Sequence, residues 1–127
     1  MTVRRVLGLA ATLSLSACRA LEAAAPPEPA VLLAPDPAAR AELLDAVSRE
    51  LHRASPVLLA DDALTRTSLL TIERVMPRDA EGRPFDGRQR GRPERFLLWR
   101  VDGRCVLEHE GAARVTLAQA HCAAAPH

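Results

Sequence analysis

The dipeptide Asp102-Gly103 lies between two runs rich in aliphatic, aromatic and β-branched residues, Arg95 to Val101 and Arg104 to His109. A two-residue type I′ connection needs positive φ at both central positions, which Asp and Gly tolerate, so this stretch predicts a tight β-hairpin. Such a turn also fixes the register, setting Trp99 opposite Val106 and Leu98 opposite Leu107. Both faces of Phe96-Leu97-Leu98-Trp99 are apolar, as expected of a central strand covered by a helix on one side. Ala113 to Gln119 is expected to continue the meander after a turn at Glu110-Gly111. Its register stays open, because a slip of one residue would exchange its two faces.

Upstream, Thr65 to Val75 predicts a further strand, with Leu70 and Ile72 on one face and Pro77 ending it. Val57-Leu58-Leu59 fits a short strand or a loop, and Asp61-Asp62 reads as a turn. A helix is expected over residues 37–53. Asp36 can cap it, and Pro37 suits the first helical position, where the missing N–H has no partner to lose. Leu43, Leu44, Val47 and Leu51 recur at helical spacing. Arg40, Glu42, Asp45, Arg49 and Glu50 fall largely on the opposite face, with Asp45 and Arg49 a favourable i,i+4 pair. Ser55-Pro56 is expected to end the helix.

Arg4 and Arg5 precede an apolar run from Val6 to Leu15, which leads into small residues and a cysteine. This is the layout of a secretory signal, and the run is shorter than the ~20 residues of a permanent membrane span. Leu15-Ser16-Ala17-Cys18 resembles the lipobox of bacterial lipoproteins. The resemblance implies cleavage between Ala17 and Cys18, a diacylglyceryl group on the Cys18 thiol and an acylated mature terminus. Two or three acyl chains such as palmitate anchor a protein stably where one does not. The twin arginines alone lack the rest of a twin-arginine export motif, so general secretion is the expected route. Arg19 follows the cysteine where an Asp would favour inner-membrane retention in enteric bacteria, which points to the outer membrane, facing the periplasm.

Removal of 17 residues would leave 110 of the 127, enough for one domain with a modest core. The basic residues are all arginine, and losing Arg4 and Arg5 takes the formal charge from +1 to about −1. No global field suggests nucleic acid. The expected organisation is a signal peptide over 1–17, a lipidated cysteine and Pro/Ala-rich linker over 18–36, and a small domain over 37–127. The prolines of the linker favour extended conformations that lift the domain off the membrane. Val31-Leu32-Leu33 interrupts it and is a candidate to dock on the domain or pair at a sheet edge.

With Cys18 taken by the lipobox, Cys105 and Cys122 remain as an even pair in an oxidising compartment, which reads as a disulfide. The competing reading is a metal site from Cys105, His109, His121 and Cys122. Against it, Cys105 and His109 are about 13 Å apart along a strand at 3.3 Å per residue. No metal or other cofactor is therefore expected.

Residues 77–94 form a long polar stretch with Arg78, Arg83, Arg88, Arg90 and Arg92 interleaved with acids. Guanidinium groups suit bidentate capture of phosphates or carboxylates, so these arginines are candidates to bind an envelope protein or an anionic envelope polymer. A merely solvated loop is the plainer alternative. His52 near the helix end suits the helix dipole. Ser48, Ser55 and Ser68 lack a nucleophile-elbow context, and no phosphate-binding glycine loop or zinc-protease pattern occurs.

The expected fold is α+β: one N-terminal helix packed on a three- to four-stranded antiparallel β-meander, with one disulfide. The globular part is similar to small proteobacterial envelope lipoproteins. The expected role is non-enzymatic, a lipid-anchored protein that binds another envelope component. The alternative is a small hydrolase or an inhibitor-like periplasmic factor.

Overall fold

In a computed structural model of the chain, residues 25–52, 57–73, 78–83 and 92–127 are described. One helix packs on an antiparallel sheet of six strands. In chain order the elements are β1 (Glu28–Leu32), α1 (Pro37–Glu50), β2 (Leu69–Ile72), β3 (Glu94–Val101), β4 (Arg104–His109), β5 (Arg114–Leu117) and β6 (Cys122–Ala124). The sheet order is β5-β4-β3-β1-β6, and β2 pairs with β3 off this path.

The β3–β4 hairpin has the register that its turn dictates, with Trp99 opposite Val106 and Leu98 opposite Leu107. Asp102 (φ 50°) and Gly103 (φ 76°) both take the left-handed conformation of a type I′ turn. β3 is the central strand, paired with β4 on one side and with β1 and β2 on the other. The register left open for β5 is Cys105 opposite Leu117 and Leu107 opposite Val115, which turns Leu117 into the core.

Helix α1 starts as its cap predicts: the Asp36 carboxylate accepts from the Ala39 N–H at 2.8 Å, with Pro37 in the first turn. It ends at Glu50, capped by Leu51, earlier than the expected residue 53. Ser55-Pro56 lies outside the described residues. Leu43, Ala46 and Val47 are buried against Phe96, Leu98, Leu107 and Leu117 of the sheet. Asp45 and Arg49 form the expected surface pair at 3.0 Å.

Among the described residues the strands number six, where three or four were expected, and two additions account for this. Residues 28–32, expected within a spacer that ran to 36, form β1, and Ala30, Val31 and Leu32 are all buried. Val31 and Leu32 pair with β6, and Leu32 also donates its N–H to the Leu64 carbonyl at 2.7 Å, whereas Glu28 and Pro29 are the residues that pair with β3. The C-terminal Cys122–Ala124 adds β6. β2 covers Leu69–Ile72 of the expected Thr65 to Val75; on its N-terminal side the Asp62 carbonyl accepts the Thr65 N–H at 3.0 Å in a turn, and Val75 and Pro77 lie outside the described residues. Val57-Leu58-Leu59 forms no strand, and the Val57 N–H is held by Ser48 Oγ at 3.3 Å.

Candidate functional site

Cys105 and Cys122 form a disulfide with Cα atoms 5.9 Å apart. Cys105 is buried in the core face of β4, and Cys122 opposes Leu32 on β1. β3 and β1 lie between β4 and β6 in the pairing order, and three steps in a flat sheet would separate them by ~14 Å. The short distance therefore means that β1 and β6 fold back across the core. With both thiols bonded to each other, neither remains to ligate a metal alongside His109 and His121. Among the described residues, no group of three or more His, Cys, Asp or Glu side chains has the arrangement of a metal site.

Of the five candidate arginines, Arg88 and Arg90 lie outside the described residues, as does Cys18. Arg78 and Arg83 serve one tight turn. The Asp79 carboxylate accepts from the Arg83 N–H at 2.7 Å, from Arg83 Nε at 2.9 Å and from the Glu81 N–H at 3.0 Å. Arg78 donates to the Gly82 carbonyl at 2.8 Å, where Gly82 takes φ +78°. Each guanidinium thus hydrogen-bonds within its own loop, while Arg92 is exposed.

A polar cluster centres on His109, the last residue of β4, which the sequence suggested only as a metal ligand beside Cys105, His121 and Cys122. Its ring stacks on Phe96 with centroids 4.5 Å apart. Nε2 lies 2.9 Å from the Glu94 carboxylate at the start of β3, and Nδ1 lies 4.0 Å from Glu50 at the end of α1. All three side chains are less than a quarter exposed. The arrangement joins the helix end to the sheet. Carboxylates facing both ring nitrogens fix the orientation of the imidazole. The signal for part of this cluster was present: the Asp102-Gly103 register places His109 opposite Phe96, and Glu94 precedes Phe96 by two residues on the same face.

A second tie joins the helix to the sheet's far connection. Both carboxylate oxygens of Glu42 accept backbone N–H groups, from Ala118 at 2.7 Å and from Gln119 at 2.8 Å. On the outward face of the sheet, Arg95 pairs with Glu110 at 3.6 Å and Arg114 pairs with Glu108. Trp99 lies half-buried opposite Val106 on β4 and Pro29 on β1, and Phe96 is wholly buried core.

An apolar depression of about 230 Å³ lies between α1 and the segment Val57 to Ala63. Arg40 and Asp61 pair across its rim at 3.3 Å, and Leu58 beside it is 96% exposed. No helix among the described residues is long and apolar enough to cross a membrane. No family model, curated protein or solved structure matches the chain.

Proposed function

We propose that this chain is a bacterial envelope lipoprotein, held by lipid at Cys18 on the periplasmic side of the outer membrane, and that it acts by binding another envelope component. The observation that carries this reading is Leu15-Ser16-Ala17-Cys18 at the end of a charged and then apolar leader. An oxidised Cys105–Cys122 pair agrees with a compartment outside the cytoplasm.

The position of β1 sharpens the picture of the tether. Cys18 and Glu28 are ten residues apart, a separation of at most ~35 Å at full extension. A domain that begins at Glu28 is therefore held close to the bilayer surface, where its partners are membrane-associated or span the gap to the cell wall. The exposed Arg92 and the charged turn at Arg78 and Arg83 offer a polar contact surface, and the depression beside Leu58 an apolar one.

A binding role agrees with side chains that are spent on structure: His109 and Glu42 each tie the helix to the sheet. The test is crosslinking in intact cells followed by mass spectrometry, with wild type compared against Cys18→Ser. The reading expects a specific crosslinked envelope component that disappears in the variant. It fails when the wild type crosslinks to nothing specific, or when the variant keeps the same membrane attachment.

A further inference from the structure

Leu58 is 96% exposed, although the segment that carries it is anchored on both sides. Before it, the Val57 N–H donates to Ser48 Oγ at 3.3 Å, and after it the Leu64 carbonyl accepts from the Leu32 N–H at 2.7 Å. The leucine is thus presented from a held backbone. It stands on the wall of the depression of about 230 Å³, whose lining it shares with Leu32, Pro35, Leu43, Leu44 and Leu59 among others. A single exposed leucine needs no explanation. A knob next to a hole of matching chemistry does.

We propose that this face binds a second copy of the chain, with Leu58 of each protomer seated in the depression of its partner. The depression is smaller than the roughly 300–1,000 Å³ of pockets that hold drug-sized ligands. Of the two exposed large aliphatic side chains among the described residues, Leu33 and Leu58, the one on the wall of the depression is Leu58. A two-fold axis places knob into hole twice, the self-complementary contact of an isologous dimer.

The rim supports the same occupant. Arg40 and Asp61 carry opposite charges 3.3 Å apart, and Asp62 with Arg66 forms a second pair at 3.7 Å. Two copies of such a rim do not repel, and across the axis Arg40 of one meets Asp61 of the other. An anionic membrane surface would instead call for clustered basic residues without interleaved acids. Two leucines and a rim bury well under the ~1,200 Å² of a standard stable interface, so the association is weak and rapidly exchanging. Confinement to a membrane raises its effective concentration. That strengthening rests on the anchor proposed above, whereas the contact itself does not.

The test uses the mature protein purified from membranes in a non-ionic detergent, with its acylation read by intact mass on the same sample. Failure of the anchor and failure of the dimer are then separate results. Sedimentation equilibrium should show concentration-dependent self-association that weakens at least ~tenfold in Leu58→Asp, the effect of losing one buried leucine side chain. Leu58→Met should retain it, because the swap nearly conserves volume. Circular dichroism should match in all three, since Leu58 makes little contact within the monomer. A rim pair gives an independent readout: Arg40→Asp and Asp61→Arg should each self-associate less than wild type, and a mixture of the two should associate again. A monomeric wild type, an undiminished Leu58→Asp or a mixture that fails to associate overturns the proposal. So does a monomeric wild type that binds zwitterionic lipid vesicles through Leu58, a result that would give the surface to lipid.

Discussion

Cys105 and Cys122 are joined across a sheet that places two other strands between theirs, with only 5.9 Å between their Cα atoms. The bond closes the curled sheet over its own core, since Leu32 opposes Cys122 and Leu117 opposes Cys105. It links residues 17 positions apart, and in the chain-entropy view a loop of this size is worth ~3 kcal/mol. That is a large share of the ~5–15 kcal/mol that holds a typical domain together. Cys105→Ala with Cys122→Ala should lower the unfolding free energy measured in urea by about this amount, and reductant should shift the wild type toward the variant but leave the variant unmoved.

The Glu42 carboxylate is the main polar tie between the helix and the β5–β6 connection. Hydrogen bonds to a charged acceptor are worth more than neutral ones, but these lie near solvent. Glu42→Ala should cost about 1–2 kcal/mol in urea unfolding. Glu42→Gln keeps one acceptor oxygen and should lose less. Amide exchange should quicken at Ala118 and Gln119 in both variants, and equal exchange in wild type and Glu42→Ala would count against this tie.

His109 couples three elements at the other end of the helix. His109→Ala removes the stack on Phe96 and leaves Glu50 and Glu94 facing a gap. A loss of about 1–3 kcal/mol is expected, between the worth of an aromatic pair and that of a charge-assisted hydrogen bond. A double-mutant cycle of His109→Ala with Glu94→Gln should show coupling, because contacting residues are not additive. Additive losses would mean that the 2.9 Å contact carries no energy.

The parts of this fold legible in the sequence are those set by local chemistry. Asp102-Gly103 fixed one hairpin register, and with it the pairing of Phe96 and His109, through φ preferences confined to two residues. Asp36-Pro37 located the helix start for the same reason. What was not legible is non-local. Glu28–Leu32 sits among Pro26, Pro27 and Pro29 and reads as a spacer, yet it pairs with residues about 70 and 90 positions away. Pro29 is tolerated near the start of the strand, where its carbonyl still accepts the Ala125 N–H at 2.8 Å. Helical periodicity placed Glu42 and Glu50 on the solvent face, but both reach around the helix edge to the sheet. A period of 3.6 residues assigns a face without revealing how far a long side chain extends from it.

The address of the protein remains the premise for its function, and one measurement bears on it most directly: the intact mass of the protein extracted from the membrane fraction. The account predicts a chain that starts at Cys18, carries two or three acyl chains on that residue, and lacks the hydrogens lost in the Cys105–Cys122 bond. A membrane-extracted chain that retains residues 1–17, or that starts at Cys18 without lipid, would contradict it.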